Sequence, residues 1–137
     1  MKLISYLFFD GQCEAAFAFY ASCLRGKLEM LLRAHEAPGQ EAMPAALRER
    51  IMHARLAVGD QLLMGSDWIA DAPFQRPQGF YVSLQVDSVA EAERIFGALS
   101  EGGAVHMALG KTFYAAAFGM LVDRFGTPWM VNCPTDG

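Results

Sequence analysis

His53 stands near the start of an otherwise apolar segment. Imidazole titrates near neutrality, so a histidine lining a cleft can serve as general base or hydrogen-bond donor. The plainer role is a histidine at the edge of the core, satisfied by backbone. Asp67, followed by Trp68, comes at the end of a strand pattern. Its carboxylate could fix a cationic or hydroxyl group of a ligand, or simply cap the loop that follows. Phe113, Tyr114, Phe118 and Trp129 lie within one stretch, KTFYAAAFGMLVDRFGTPWMVN, residues 111–132. Ala115, Ala116, Ala117 and Gly119 leave room beside those rings. Aromatic faces hold planar or cationic molecules by stacking, although a plain core or a dimer interface uses the same residues. Together His53, Asp67, Phe113, Tyr114, Phe118 and Trp129 form the expected ligand-binding set.

Three further groups deserve a chemical reading. Cys13 sits near an expected helix N-terminus, which lowers a thiol's pKa and raises its reactivity; a buried, inert cysteine is the common alternative. His35, Glu36, Glu41 and Glu49 lie in or near a long polar loop and could join His53 in an unorthodox metal site, against a default of a solvated loop. Asp123 falls in a turn, where aspartate commonly bonds its own backbone.

The elements that must position these residues follow from pattern. Residues 4–9 are β-branched and aromatic and read as a strand. Asp10-Gly11 turns into a helix over residues 13–24, with Ala15, Ala18 and Phe19 on one face and Tyr20 beside them. Gly26 stops it. Residues 28–33 fit a strand, 35–45 a loop, and 46–50 a helical turn. Residues 52–58 and 61–66 are strands joined at Gly59-Asp60, a hairpin signal. Residues 68–79, with Pro73, Pro77 and Gly79, form the best linker. Then the order returns: a strand over 80–86, a helix opened by Ser88 with Glu91 as a capping box, and a strand over 105–109. The helix carries Ala92, Ile95, Phe96 and Leu99 at helical spacing. A last hairpin has arms 115–122 and 129–132, with Gly126, Thr127 and Pro128 in its connection.

The two halves repeat. An offset of 77 brings Asp10 onto Asp87, Glu14 onto Glu91, Phe19 onto Phe96, Gly26 onto Gly103 and Met30 onto Met107. After the long loop the offset falls to 67, and Gly59 meets Gly126. Each half is strand, helix, then three strands. One such unit cannot cover both faces of its sheet, but two side by side can form a curved sheet with helices outside and a cleft inside. The expected fold is α+β: one domain, residues 1–137, of two modules at about 1–70 and 79–134.

Composition narrows the function. The 137 residues carry a net charge of −4 and are 53% hydrophobic. That balance argues against nucleic acid and anionic membrane as partners. No apolar run approaches the roughly 20 residues of a membrane span. Three cysteines without metal-type spacing, and no export signal, point to a reducing cytoplasm.

Three segments, YLFFDGQCEAAFAFY (6–20), MHARLAVGDQLLMGSD (52–67) and TFYAAAFGMLVDRFGTPWMVN (112–132), resemble the vicinal oxygen chelate superfamily of glyoxalases, extradiol dioxygenases and bleomycin-resistance proteins. Within it the chain is similar to the PhnB-like branch, also labelled a 3-demethylubiquinone methyltransferase domain. The resemblance implies paired βαβββ modules, a homodimer, and a histidine at position 53 as a habit of the branch. It also implies four metal-ligand places. Here these are Ser5, Leu63 or Met64, Tyr81 or Val82, and Met130, none of them His or Glu. The superfamily's metal centre is therefore expected to be absent, and no cofactor is expected. No glycine-rich turn follows the first strand to hold S-adenosylmethionine. The leading expectation is a metal-independent protein that binds a small aromatic or amphipathic molecule. The rivals are a small lyase or isomerase using His53 or an atypical metal, and a dimeric interaction module with no ligand.

Overall fold

The computed structural model describes residues 1–39 and 42–135. It divides into two compact units, Met1–Gln75 and Arg76–Gly137, within the proline-bearing linker.

In the first unit β1 (Ser5–Phe9) leads into α1 (Cys13–Leu24) and β2 (Lys27–Arg33). A single 3-10 turn, Ala34–Glu36, and a short α2, Ala45–Arg48, precede β3 (Ile51–Val58) and β4 (Gln61–Asp67). The sheet order is β1-β4-β3-β2. β1 runs parallel to β4, and the other neighbours are antiparallel. β1 alternates as a strand with one covered face must: Leu7 and Phe9 are buried, while Tyr6 and Phe8 are exposed.

α1 has the predicted ends but not the predicted face. Cys13, Ala16, Phe17, Tyr20, Cys23 and Leu24 are buried, whereas Ala15 and Ala18 are exposed and Phe19 is only half-buried. Nearly every residue of CEAAFAFYASCL is apolar, so periodicity alone could not choose the inward stripe. The helix ends at Arg25, in the left-handed region at φ 53°. Gly26 then donates its N–H to the Ala21 carbonyl at 2.9 Å. A side chain there would meet the Ala57 carbonyl oxygen, 2.7 Å from an added Cβ. So Gly26 is required by the approach of β3 rather than by φ.

The second unit repeats the plan with β5 (Val82–Gln85), α3 (Val89–Ser100), β6 (Ala104–Gly110), β7 (Ala115–Val122) and β8 (Pro128–Pro134). Its sheet order is β5-β8-β7-β6, with β5 parallel to β8. Ser88 caps α3 by accepting the Glu91 N–H at 3.1 Å. Ala92, Ile95, Phe96 and Leu99 are buried as their spacing predicts. The offset of 77 carries β2 onto β6, and 67 carries β4 onto β8. The offset drops between them because residues 34–50 join β2 to β3 whereas only residues 111–114 join β6 to β7, and it recovers slightly because residues 123–127 replace the Gly59-Asp60 turn. The ladders among the described residues close within each unit. They give two four-stranded mixed sheets, one from each βαβββ module, in the expected α+β class. Among the described residues no helix is long and apolar enough to cross a membrane.

Candidate functional site

α1 packs on one face of the first sheet; on the other face Tyr6, Phe8 and Met30 are exposed, while Ser66 is buried. Cross-strand register arranges the side chains of that other face in two rows. Tyr6 lies beside Met64, Met64 beside Arg55, and Arg55 beside Met30. In the next row Phe8 is paired with Ser66 and His53 with Leu32. The Tyr6 hydroxyl is 3.1 Å from His53 Nδ1, and the two rings stack at 5.8 Å. Tyr6 also contacts Phe8 at 5.2 Å, and Phe8 meets Trp68 edge-on at 5.3 Å. Trp68 is fixed in turn: its Nε1 donates to the Ala72 carbonyl at 2.6 Å, and Arg50 donates to its carbonyl at 2.7 Å. Tyr6 and Phe8 remain 41% and 42% exposed. The result is a rigid patch of π-faces beside one imidazole. Which of the two groups donates is set by the His53 tautomer, and Nε2 is the ring nitrogen that Tyr6 does not contact.

In the second unit Phe113, Tyr114 and Phe118 do come together, at 5.0 and 5.7 Å between successive rings. Phe113 is 96% exposed, and Phe118 lies opposite Asn132 across the β7–β8 ladder. A second tyrosine–histidine contact, Tyr81 hydroxyl to His106 Nδ1 at 2.9 Å, is found in this unit.

Two expected ligand contacts are corrected. Trp129 is fully buried, in phase with Val131 and Cys133, and its Nε1 donates to Asp123 Oδ2 at 2.8 Å. Its face is the one α3 covers, since a Cβ on Gly119 of the same sheet face would lie 2.6 Å from Phe96 Cε2. Met130 takes the opposite face. Asp67 is 2% exposed. It accepts the Cys13 N–H at 2.9 Å and the Ile51 N–H at 2.8 Å, one on each carboxylate oxygen. It therefore ties the start of α1 to β3 and has no oxygen turned toward a ligand. Asp123 is a backbone organiser too, accepting the N–H groups of Phe125 and Thr127.

Cys13 is not activated. Burial pushes its thiol far up, and the carboxylates of Asp67 and Glu14 add to the shift. Cys23 and Cys133 are also buried. All three thiols are expected to be silent toward an aromatic disulfide reagent at pH 8 and to react fully once denaturant is added. A fast-reacting thiol in the native protein would contradict this burial.

Glu41 of the suggested loop metal site lies outside the described residues. Of its partners, His35 Nε2 is 3.6 Å from Glu49 Oε1, and Arg33 pairs with Glu49 and Glu14. Glu36 accepts the Arg33 N–H. Among the described residues no three His, Cys, Asp or Glu side chains converge to hold a metal ion. The superfamily's metal does not fit the four inherited places, because Ser5, Leu63 or Met64, Tyr81 or Val82, and Met130 bring no imidazole or carboxylate. S-adenosylmethionine in a glycine-rich βαβ cradle does not fit either. β1 and the strand that follows α1 are not neighbours in the sheet, and Arg50 is ion-paired to Asp10 across the β1–α1 turn.

Paired βαβββ units with these open faces define the glyoxalase/bleomycin resistance/dioxygenase fold. A glyoxalase/bleomycin resistance protein/dioxygenase family enzyme from Burkholderia phytofirmans shares it at TM-score 0.66 over 96% of both chains, with 14% identity. A family model described as 3-demethylubiquinone-9 3-methyltransferase matches residues 1–132, and the chain belongs to that family. Protein PA1353 from Pseudomonas aeruginosa is similar at 49% identity and TM-score 0.91 over 99% of both chains. A putative 3-demethylubiquinone-9 3-methyltransferase, PhnB protein, from Bacillus cereus is similar at 24% identity and TM-score 0.79, covering 97% of this chain and 99% of that one. Protein YjdN from Escherichia coli is 32% identical over 96% of this chain and 95% of its own.

Sequence reasoning missed Tyr6, Phe8 and Arg55. The signal was present in strict alternation: with Leu7 and Phe9 inward, Tyr6 and Phe8 must face outward, and Arg55 shares a face with His53.

Proposed function

We propose that this protein binds a small aromatic or amphipathic molecule on the open face of its first sheet, without a metal. The observation that carries the reading is the Tyr6–Phe8–Trp68 ring contacts set beside His53, on strands whose other face is locked into the core. Isolated exposed rings need no explanation, but a fixed, contiguous set rimmed by polar groups is the usual composition of a ligand surface. The methyltransferase activity in the family's description is not part of this proposal, for want of a cradle for its cofactor.

The test is a melting-shift screen over aromatic metabolites, followed by titration of variants. His53→Ala is expected to weaken a confirmed ligand by about 1–3 kcal/mol, as for one lost polar contact. Phe8→Ala should weaken it comparably through lost stacking. Unchanged affinity in both variants would remove the site from this face. The Tyr6–His53 contact favours one second reading, proton-transfer catalysis of the lyase or isomerase kind with His53 as base. It would be recognised by turnover that His53→Ala abolishes while ligand affinity persists.

The partner is thus a small molecule rather than nucleic acid or membrane, in keeping with the charge of −4. Three buried cysteines accord with a cytoplasmic setting. A homodimer completes the proposal, supported by large apolar side chains left exposed, Val105, Met107 and Phe113 among them. Sedimentation at micromolar concentration should give twice the mass of the chain; a monomer there would contradict it.

A further inference from the structure

We infer that the molecule taken by this face is a planar organic anion, an aromatic carboxylate or phenolate, and that Arg55 is the residue that recognises its charge. The inference rests on the binding reading above and adds the ligand's chemical class. Arg55 is on β3, two residues from His53 and on the same face, between Met64 and Met30. Its Nε is buried and has no aligned hydrogen-bond partner. The nearest carboxylate, Glu29 Oε1, is 3.2 Å away but off the N–H direction. A guanidinium presents its donors as a planar fork suited to two carboxylate oxygens, and here the side chain stands between two methionines in the register and is 37% exposed. His53, on the same face, has its Nε2 clear of the Tyr6 contact. Glu29 is the competing anion, brought to Arg55 by the irregular register of β2 between Leu28 and Met30.

The spacing selects a ligand length. Tyr6 and Arg55 are on strands two positions apart, about 10 Å at the usual strand separation. A bicyclic aromatic acid spans that interval, with its rings over Tyr6 and Phe8 and its oxygens at Arg55. A small inorganic anion does not.

Titration calorimetry with 2-naphthoate and its neutral isostere 2-naphthamide tests the inference. The wild-type protein should bind the carboxylate about tenfold or more tightly than the amide, the scale of one charge-assisted contact. Arg55→Met should erase that preference by weakening the carboxylate far more than the amide. Glu29→Gln should strengthen 2-naphthoate several-fold by removing the competitor, and it guards against an Arg55 variant that folds poorly. Equal binding of the two probes, insensitive to Arg55→Met, overturns the anion assignment and leaves the aromatic-binding reading standing. Weaker 2-naphthoate binding in Glu29→Gln also overturns it, because the Arg55–Glu29 pair would then be structural. Binding of neither probe, with the face covered instead by a second copy of the chain, overturns both.

Discussion

Trp129→Ala is expected to destabilise the protein by about 3–5 kcal/mol, the cost of truncating a large, fully buried side chain that its surroundings cannot refill. Trp129 has 0% exposure. It packs in the layer of Leu121, Val131 and Cys133, which is closed on the far side by α3. The loss has a polar part as well. Asp123 Oδ2 would lose its indole donor, and Asp123 organises the whole β7–β8 turn through the N–H groups of Phe125 and Thr127. Trp129→Phe keeps most of the volume and should cost less, about 1–3 kcal/mol for the unpaired carboxylate oxygen and the altered shape. Urea unfolding measures both. Ligand affinity per folded molecule should stay at the wild-type value, because the indole faces the core. A Trp129→Ala protein of normal stability that had lost ligand binding would reverse this placement.

Asp67→Ala is expected to cost about 3 kcal/mol or more, though Asp67 is a single residue at a strand end. Two buried backbone N–H groups, of Cys13 and Ile51, would lose their acceptor together, each at about 1–3 kcal/mol. Asp67→Asn is the sharper probe. Its amide nitrogen would have to face one of those two donors, so a nearly isosteric change should still destabilise by about 1–3 kcal/mol. Both variants should raise hydrogen exchange at the first turn of α1. Wild-type stability in Asp67→Asn would mean that the carboxylate is free for other work.

These two residues mark where the sequence was legible and where it stopped. Element order and the paired βαβββ plan were readable because strand alternation, the Ser88 cap and the Gly59-Asp60 turn are local signals. The helical stripe of α3 was readable because polar residues define its outer face. The stripe of α1 was not, because an almost wholly apolar helix carries no phase. The same ambiguity governed Trp129 and Met130. Strand alternation says that neighbours point oppositely, but not which of the two a helix covers; Phe96 against Gly119 decides that, and it is a tertiary contact. For Asp67 the missing knowledge was longer in range still, since its amide partners lie 54 and 16 residues away. His53 and the rings of Phe113, Tyr114 and Phe118 were singled out by residue type alone. Tyr6, Phe8 and Arg55 were within reach of the alternation rule and were passed over because no polar motif singled them out.

The central claim is that the open face of the first sheet holds a planar aromatic molecule. Methyl resonances of selectively labelled methionine report on it directly, because Met64 and Met30 stand in the same row as Tyr6 and Arg55. On titration with 2-naphthoate, the Met64 and Met30 methyl signals should move with one shared saturation curve under the ring current of the bound ligand, and Phe8→Ala should weaken that curve. Saturable binding that leaves both methyl signals in place would contradict the account.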